Sequence, residues 1–432
     1  MSKAGNDIPS FIRSSEEINP EDYIITVNKV RPKKGVDLDY ILTLIAAEES
    51  TGTESVFLKD EVKYYTTIDE TREIRERFGA KVTNVQKTEE EGVWRVDIAY
   101  PIENACQMPP NMPMLLTIII GDHNGLPEVD SCRLEDIHLP EKFLKDYPGP
   151  RFGVEGIRKL VGITDSSQPL IGAIIKPNLG NTPEETADIC KEMALNGINF
   201  IKDDELLVDI PVCRLEDKVK SVMRELNKVE AETGRKTLWA VNVTASVDRI
   251  KENAKIALDN GANCLMMNFL CTGYDALRML AEDDSINVPI HTHRCGHDIM
   301  TRDLEKGVAM RVIAKLARIN GADQVHIGNV GGKDQAQIKD ITDSYNALQE
   351  PMHHIKTAFG VSSRIVAGEI EYSCKTLGTD LVVVGCGGVH RHPMGRGAGV
   401  RSLAQAVNYL TSGIPFSDIK APEEEFSKAV EI

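Results

Sequence analysis

From Leu170 onward the chain repeats one unit: a short apolar run that ends on polar residues, followed by a stretch with helical spacing. The apolar runs are Leu170–Lys176, Phe200–Asp203, Leu238–Val243, Cys264–Asn268, Val288–His293, Gln324–Ile327, Thr357–Val361 and Leu381–Val384. The intervening stretches, such as Pro183–Leu195 and Arg214–Glu232, read as amphipathic helices. Eight β/α units in succession predict a closed parallel (β/α)8 barrel, the TIM-barrel arrangement. An open doubly wound sheet is the competing fold, but it gathers its functional residues at one switch point. Here polar residues stand at the C-terminal ends of most of the strands.

Such a barrel takes roughly 250 residues, and the chain has 432, so a second domain is expected ahead of it. Tyr23–Val27 has strand character, Leu38–Ala47 has helical spacing, and Val93–Tyr100 and Leu115–Ile120 read as further strands. This predicts a smaller N-terminal α+β domain of ferredoxin-like type over residues 21–147, after a loose polar segment, 1–20. The turn-rich Tyr147-Pro148-Gly149-Pro150 marks the joint, and the barrel domain runs over 148–432. The 50 Lys+Arg and 66 Asp+Glu are spread along the chain and leave a net charge of −16, which argues against a nucleic-acid or anionic-membrane partner. The apolar run near Met114 to Ile120 is too short to span a bilayer. Nine cysteines without a CxxC pair, and an N-terminus with no apolar h-region, predict a cytoplasmic protein with reduced thiols.

In a barrel of this kind the side chains at the C-terminal strand ends face the active-site mouth. Those positions carry Lys176, Lys202-Asp203-Asp204-Glu205, Asn242, His291, His293-Arg294, His326, Lys333, Ser362 and Gly387-Gly388. Three carboxylates in a row suit a hard cation that takes oxygen ligands. Alternation sends Lys202 and Asp204 to one face, and a turn can bring Glu205 beside them. The competing reading is a solvated acidic loop. In His291-Thr292-His293-Arg294-Cys295-Gly296-His297 the arginine suits a phosphate and the histidines suit proton relay. Satisfied core histidines are the bland alternative, and zinc would need a third ligand nearby. The loop Gly328–Lys333 has three glycines and a lone lysine, as a mobile lid over an anion would, or as an ordinary surface loop would. Gly387 and Gly388, at the end of the eighth strand, offer backbone N–H groups for a phosphate.

Seven motifs stand in order: AAEESTGT (46–53), GPRFGVEGIRKLVG (149–162), GAIIKPNLG (172–180), FIKDDE (200–205), HTHRCGH (291–297), HIGNVGGK (326–333) and CGGVHRHPMG (386–395). Together they resemble the large subunit of RuBisCO, and more closely the RuBisCO-like proteins called form IV, over nearly the whole chain. The resemblance implies that Lys202 is carbamylated by CO2, and that the carbamate, Asp204 and Glu205 bind Mg²⁺. Lys176 matches the family's acid/base lysine, His293 a catalytic histidine and Lys333 the lid lysine. Arg294, His326 and Ser362 match binders of one substrate phosphate, and Gly387, Gly388 and Thr53 those of the other. Glu48 matches a glutamate that reaches the lid lysine from a neighbouring subunit, which implies a homodimer, or an assembly of dimers, with shared sites.

Four positions depart from the family pattern. Asn178 replaces a second lysine, Glu54 a tryptophan, Asp122 an asparagine of the N-terminal domain, and Arg364 a phosphate-site glycine. The expected function is therefore formation of a metal-bound enediolate from a small phosphorylated ketose or keto acid. A decarboxylase, isomerase or enolase of sugar-acid catabolism fits better than an efficient CO2-fixing carboxylase. Arg364 becomes a candidate clamp for a substrate anion. The alternatives are the methionine-salvage enolase that acts on 2,3-diketo-5-methylthiopentyl-1-phosphate, a true ribulose-bisphosphate carboxylase, and a non-catalytic ligand-binding relic. The salvage enolases generally lack the HxHR motif and the lid lysine, both present here.

Overall fold

A computed structural model describes residues 10–53, 68–105 and 112–430. The chain divides into two compact units: residues up to Tyr147 together with His297–Ile313, and Pro148–Gly296 together with Ala314 to the C-terminus.

The first unit is built on a sheet of β1 (Tyr23–Pro32), β2 (Lys81–Lys87), β3 (Trp94–Pro101) and β4 (Val129–His138). Its antiparallel order is β4-β1-β3-β2, the arrangement expected of a ferredoxin-like domain. The helix Leu38–Glu48 is capped by Asp37, whose carboxylate accepts from the Tyr40 N–H, and it buries Ile41, Leu42, Leu44 and Ile45.

Two expectations fail in this unit. Leu115–Ile120 is not a strand: it lies in the helix Met112–Ile120. The β-branched run suggests a strand, yet the buried residues are Met112, Leu115, Ile118 and Ile119, a helical spacing, and packing on that stripe overrides local preference. Nor is the terminal segment loose from Ser10 on. Phe11 is buried, Ile12 bridges to Val82, and capped 3-10 turns occupy Ser15–Glu17 and Pro20–Asp22. Residues 1–9 of that segment lie outside the described residues.

Residues 297–313 also depart from the expectation, which kept 148–432 together. Gly307–Val308 forms a short strand, β10, parallel to β4. The reason is Arg133, almost wholly buried, whose guanidinium donates to the carbonyls of Thr301, Asp303 and Lys306. A buried guanidinium must find acceptors, and this segment supplies them.

In the second unit, β5 (Leu170–Ile174), β6 (Phe200–Lys202), β7 (Leu238–Asn242), β8 (Cys264–Met267), β9 (Ile290–Thr292), β11 (Gln324–His326), β12 (Phe359–Ser363) and β13 (Leu381–Gly385) are all parallel. They close into a barrel because β9 pairs with β11 and β13 with β5. Helix ends follow their sequence signals. Thr182 and Glu185 form a reciprocal capping box on Pro183–Leu195, and Gly234 ends Leu215–Thr233 in a left-handed conformation.

The first residues of five strands, Leu170, Phe200, Leu238, Cys264 and Phe359, pack with Val154, Ile157 and Val161 of the helix Gly153–Val161. That helix seals the N-terminal end of the barrel with apolar side chains. The buried Asp323 carboxylate fixes its start, accepting from the N–H groups of Phe152 and Gly153 at 2.8 Å and of Ile290 at 2.9 Å. With one end closed by hydrocarbon, the polar strand ends gather at the other.

Candidate active site

At the C-terminal end of β6 the chain presents Lys202, Asp203, Asp204 and Glu205, and alternation separates their tasks. Asp203 points away from the others. It accepts from Lys218 Nζ at 2.6 Å, Trp239 Nε1 at 3.1 Å and the Asn242 N–H at 3.0 Å, and is wholly buried. It is a structural anchor between β6, β7 and the helix Leu215–Thr233. The run of three carboxylates thus yields two for chemistry.

Lys202 is wholly buried, and its Nζ has no hydrogen-bond partner among the described residues. Glu205 Oε2 stands 3.6 Å from it. Burial pushes the Lys202 ammonium below its usual range, against the opposing pull of Glu205, Asp204 and Asp203. A lysine desolvated in this way is more readily a neutral amine than a surface lysine is.

Lys176, just beyond β5, donates to Asp204 Oδ2 at 2.6 Å and to Asn178 Oδ1 at 2.5 Å. Asn178 therefore touches the candidate acid/base lysine directly, where a second lysine would repel it. The Asp204–Glu205 backbone is held by amides: Asn242 Nδ2 donates to the Asp204 and Glu205 carbonyls at 3.3 and 3.1 Å, and Asn268 Nδ2 to the Glu205 carbonyl at 3.0 Å. The site role of Asn268 escaped the motif reading, although its place at the end of β8 signalled it.

Glu205 Oε2 also lies 3.7 Å from His293 Nε2. His293 stacks edge-on with His326, centroids 4.8 Å apart, and His326 with His291 at 4.9 Å. Gln324 Oε1 accepts from His291 Nδ1–H at 2.8 Å. His291 Nε2 is then an acceptor, and His326 Nε2–H donates to it at 3.1 Å. Burial holds both imidazoles well below their usual pKa, so both are neutral near pH 7. With Gln324 Nε2 left without a hydrogen-bond partner among the described residues, turning that amide over would reverse every donor in the chain and free His326 Nδ1–H for a substrate oxygen.

The remaining residues form the rim. Arg294 Nη2 packs against Gly328, where a Cβ would come within 3.0 Å of it, so the glycine makes room for the guanidinium. Ser362 is buried, and its hydroxyl has no hydrogen-bond partner among the described residues. Lys333 is exposed, on a loop whose Asn329 Oδ1 accepts from the Gly331 N–H. Arg364 is exposed with φ +66°, a left-handed backbone that costs a non-glycine residue roughly 1–2 kcal/mol. Gly388 packs on the Ile365 carbonyl and Val366, which sets the Arg364 turn against the Gly387–Gly388 turn. Arg391 lies over Gly387, occupying the space a Cβ there would need. His390 Nε2–H donates to the Ile174 carbonyl at 2.6 Å and so braces the end of β5. Neither Arg391 nor His390 stands out in the motif, where the glycines draw the eye.

Glu48, Thr53 and Asp122 belong to the first unit. Glu48 ends its helix, and the Asp122 N–H donates to the adjacent Glu49. Glu54 lies outside the described residues.

Among the described residues no three His, Cys, Asp or Glu side chains cluster as a metal site. Asp204, Glu205 and the orphaned Lys202 amine fit a different donor set. An amine converted to a carbamate becomes the third oxygen ligand that a hard cation needs. A recess of about 550 Å³ exists elsewhere, lined in part by Phe152, Lys159, Val161 and Lys236. It lies at the sealed end of the barrel, away from every group just described.

Residues 153–432 match the family described as ribulose bisphosphate carboxylase large chain, catalytic domain, and residues 11–143 match its N-terminal domain. The chain belongs to the ribulose bisphosphate carboxylase large-chain family. It is 36% identical over 442 residues to the ribulose bisphosphate carboxylase of Archaeoglobus fulgidus, covering 98% of this chain and 96% of that one. It is 35% identical over 422 residues to a ribulose bisphosphate carboxylase-like protein of the same organism, covering 95% and 92%. The dimeric archaeal RuBisCO of Hyperthermus butylicus superposes with a TM-score of 0.85 at 30% identity, covering 98% of each chain. Relatives with both descriptions stand at nearly equal identity, so within the family the reaction has to be argued from site residues. Among the described residues no helix is long and apolar enough to cross a membrane.

Proposed function

We propose that this family member is a Mg²⁺-dependent enzyme that removes a proton beside a carbonyl in a phosphorylated ketose or keto acid and stabilises the resulting enediolate. The observation that carries this reading is Lys202, a wholly buried amine beside Asp204 and Glu205 with no hydrogen-bond partner among the described residues. As a carbamate it would join those two carboxylates in holding the ion. When bound, Mg²⁺ would act as a Lewis acid toward substrate oxygens. Lys176, whose Nζ lies 2.6 Å from Asp204 Oδ2, would move the proton. His293, beside Glu205, is a second relay. Arg294, His326 and Ser362 would bind one phosphate; Gly387, Gly388 and Thr53 would bind the anion at the other end, with Arg364 as an added cation.

The departures favour a decarboxylase, isomerase or enolase over efficient CO2 fixation on ribulose bisphosphate. Asn178 leaves Lys176 with a neutral neighbour, and Arg364 adds a fork-shaped cation where the family has glycine. Carboxylation remains the second reading, supported by the carboxylases among the relatives. Solvent-deuterium exchange, run with Mg²⁺ and bicarbonate across phosphorylated ketoses and keto acids, tests the proposal. We expect exchange with at least one of them and little ¹⁴CO2 fixed on ribulose bisphosphate. No exchange with any compound would refute the enediolate reading, and rapid fixation would establish the carboxylase.

We also propose a cytoplasmic homodimer, or an assembly of dimers, in which Glu48 and Thr53 serve the partner's site. The dimeric relative supports this. Inactive Glu48→Gln subunits mixed with inactive Lys202→Ala subunits should regain part of the activity, because one hybrid site per dimer is intact. A fully active monomer would overturn it.

A further inference from the structure

Two cysteines stand together where the chain leaves adjacent barrel strands. β8 and β9 are neighbours, Met267 opposite Thr292, and the His293 N–H donates to the Met267 carbonyl at 2.9 Å. Four residues past β8's end lies Cys271, in the short helix Phe269–Thr272; three past β9's end lies Cys295. Cys271 Sγ donates to the Cys295 carbonyl at 3.7 Å. Among the described cysteines Cys271 is the exposed one, Cys295 and Cys386 are half-buried, and Cys132, Cys190, Cys213, Cys264 and Cys374 are buried. A contact between an accessible thiol and a sheltered one is the arrangement of an attacking and a resolving cysteine.

We propose that Cys271 and Cys295 form a reversible disulfide by exchange with small-molecule disulfides such as oxidised glutathione, and that its closure weakens anion binding at Arg294. The Cys271 thiolate attacks one sulfur of the small disulfide, forming a mixed disulfide and expelling one thiolate. The Cys295 thiolate then attacks the Cys271 sulfur and expels the second. Two protein thiols are oxidised and one small disulfide is reduced to two thiols; the two protons the protein thiols lose end, by way of solvent, on the two departing thiolates. Burial, with the neighbouring Cys271 thiol, holds Cys295 above the ordinary thiol range, in keeping with its role as second attacker. The consequence follows from adjacency. Arg294 precedes Cys295, so drawing the Cys295 sulfur to bonding distance moves the peptide that carries the guanidinium packed on Gly328. This clause rests on the phosphate role given to Arg294 above; the cross-link does not.

The test uses the full-length protein equilibrated with oxidised glutathione, acid-quenched, alkylated and mapped as peptides without reduction. We expect a Cys271–Cys295-linked peptide, two hydrogens lighter than the sum of its parts, that dithiothreitol removes. Cys295→Ser should stop at a glutathione adduct on Cys271, and Cys271→Ser should leave Cys295 unmodified. A glutathione adduct that accumulates on Cys271 of the native protein without the linked peptide would overturn the disulfide. Inorganic phosphate, titrated calorimetrically, should bind at least threefold more weakly to the oxidised protein than to the reduced one, with no difference in Cys271→Ser. Equal affinities would overturn the effect on Arg294 while leaving the cross-link to stand on its mass.

Discussion

Lys202→Ala is expected to lose all activity and tight Mg²⁺ retention together, while the protein stays folded. The native side chain places an amine in a fully buried position with no hydrogen-bond partner among the described residues. Burial without a partner costs on the order of 1–3 kcal/mol for a neutral polar group and more for a charged one. A fold does not gain from keeping such a group, which is why we propose a chemical role for this position. Lys202→Met, which keeps most of the length and removes the polar atom, should be at least as stable as the native protein in chemical denaturation, yet equally inactive. Calorimetric Mg²⁺ titration in the presence of bicarbonate, native against variant, checks the metal side. Native-like Mg²⁺ affinity or activity in Lys202→Ala would remove the carbamate from the account.

Lys333→Met should lower kcat by roughly 10² with a smaller change in KM, the loss expected when one donor to developing negative charge is removed from a site sealed from water. Lys333 is exposed on its glycine-rich loop, so a role in catalysis requires the loop to close over the substrate. Arg364→Gly should separate two effects that usually run together. It should raise KM for the true substrate, because the clamp is gone. It should also raise the midpoint of thermal unfolding, because glycine takes φ +66° without the steric cost that arginine bears. If Arg364→Gly leaves KM unchanged, the arginine serves no substrate. If Lys333→Met retains native kcat, the loop does not act as a lid.

Local pattern alone carried much of this protein. The eight strands were legible because each buried strand is a short apolar run and each helix has its own period, signals that need no knowledge of the partner element. The helix Pro183–Leu195 was bounded correctly because its cap, its N-terminal proline and its capping-box glutamate are all in the sequence. The motif residues at strand ends were legible for the same reason: in a barrel, position along a strand fixes which end a side chain serves. Where local preference and packing disagreed, packing won, as in the helix Met112–Ile120. Where a distant residue set the outcome, as Arg133 does for 297–313, the sequence carried no mark of it. Tertiary structure alone decided that Lys202 is desolvated with no hydrogen-bond partner among the described residues, that Asn178 meets Lys176, that Arg364 is left-handed, and that Cys271 meets the Cys295 carbonyl. The desolvation of Lys202 and the contact of Cys271 with Cys295 depend on segments well separated in the chain, and desolvation and thiol contact act through space rather than along the backbone.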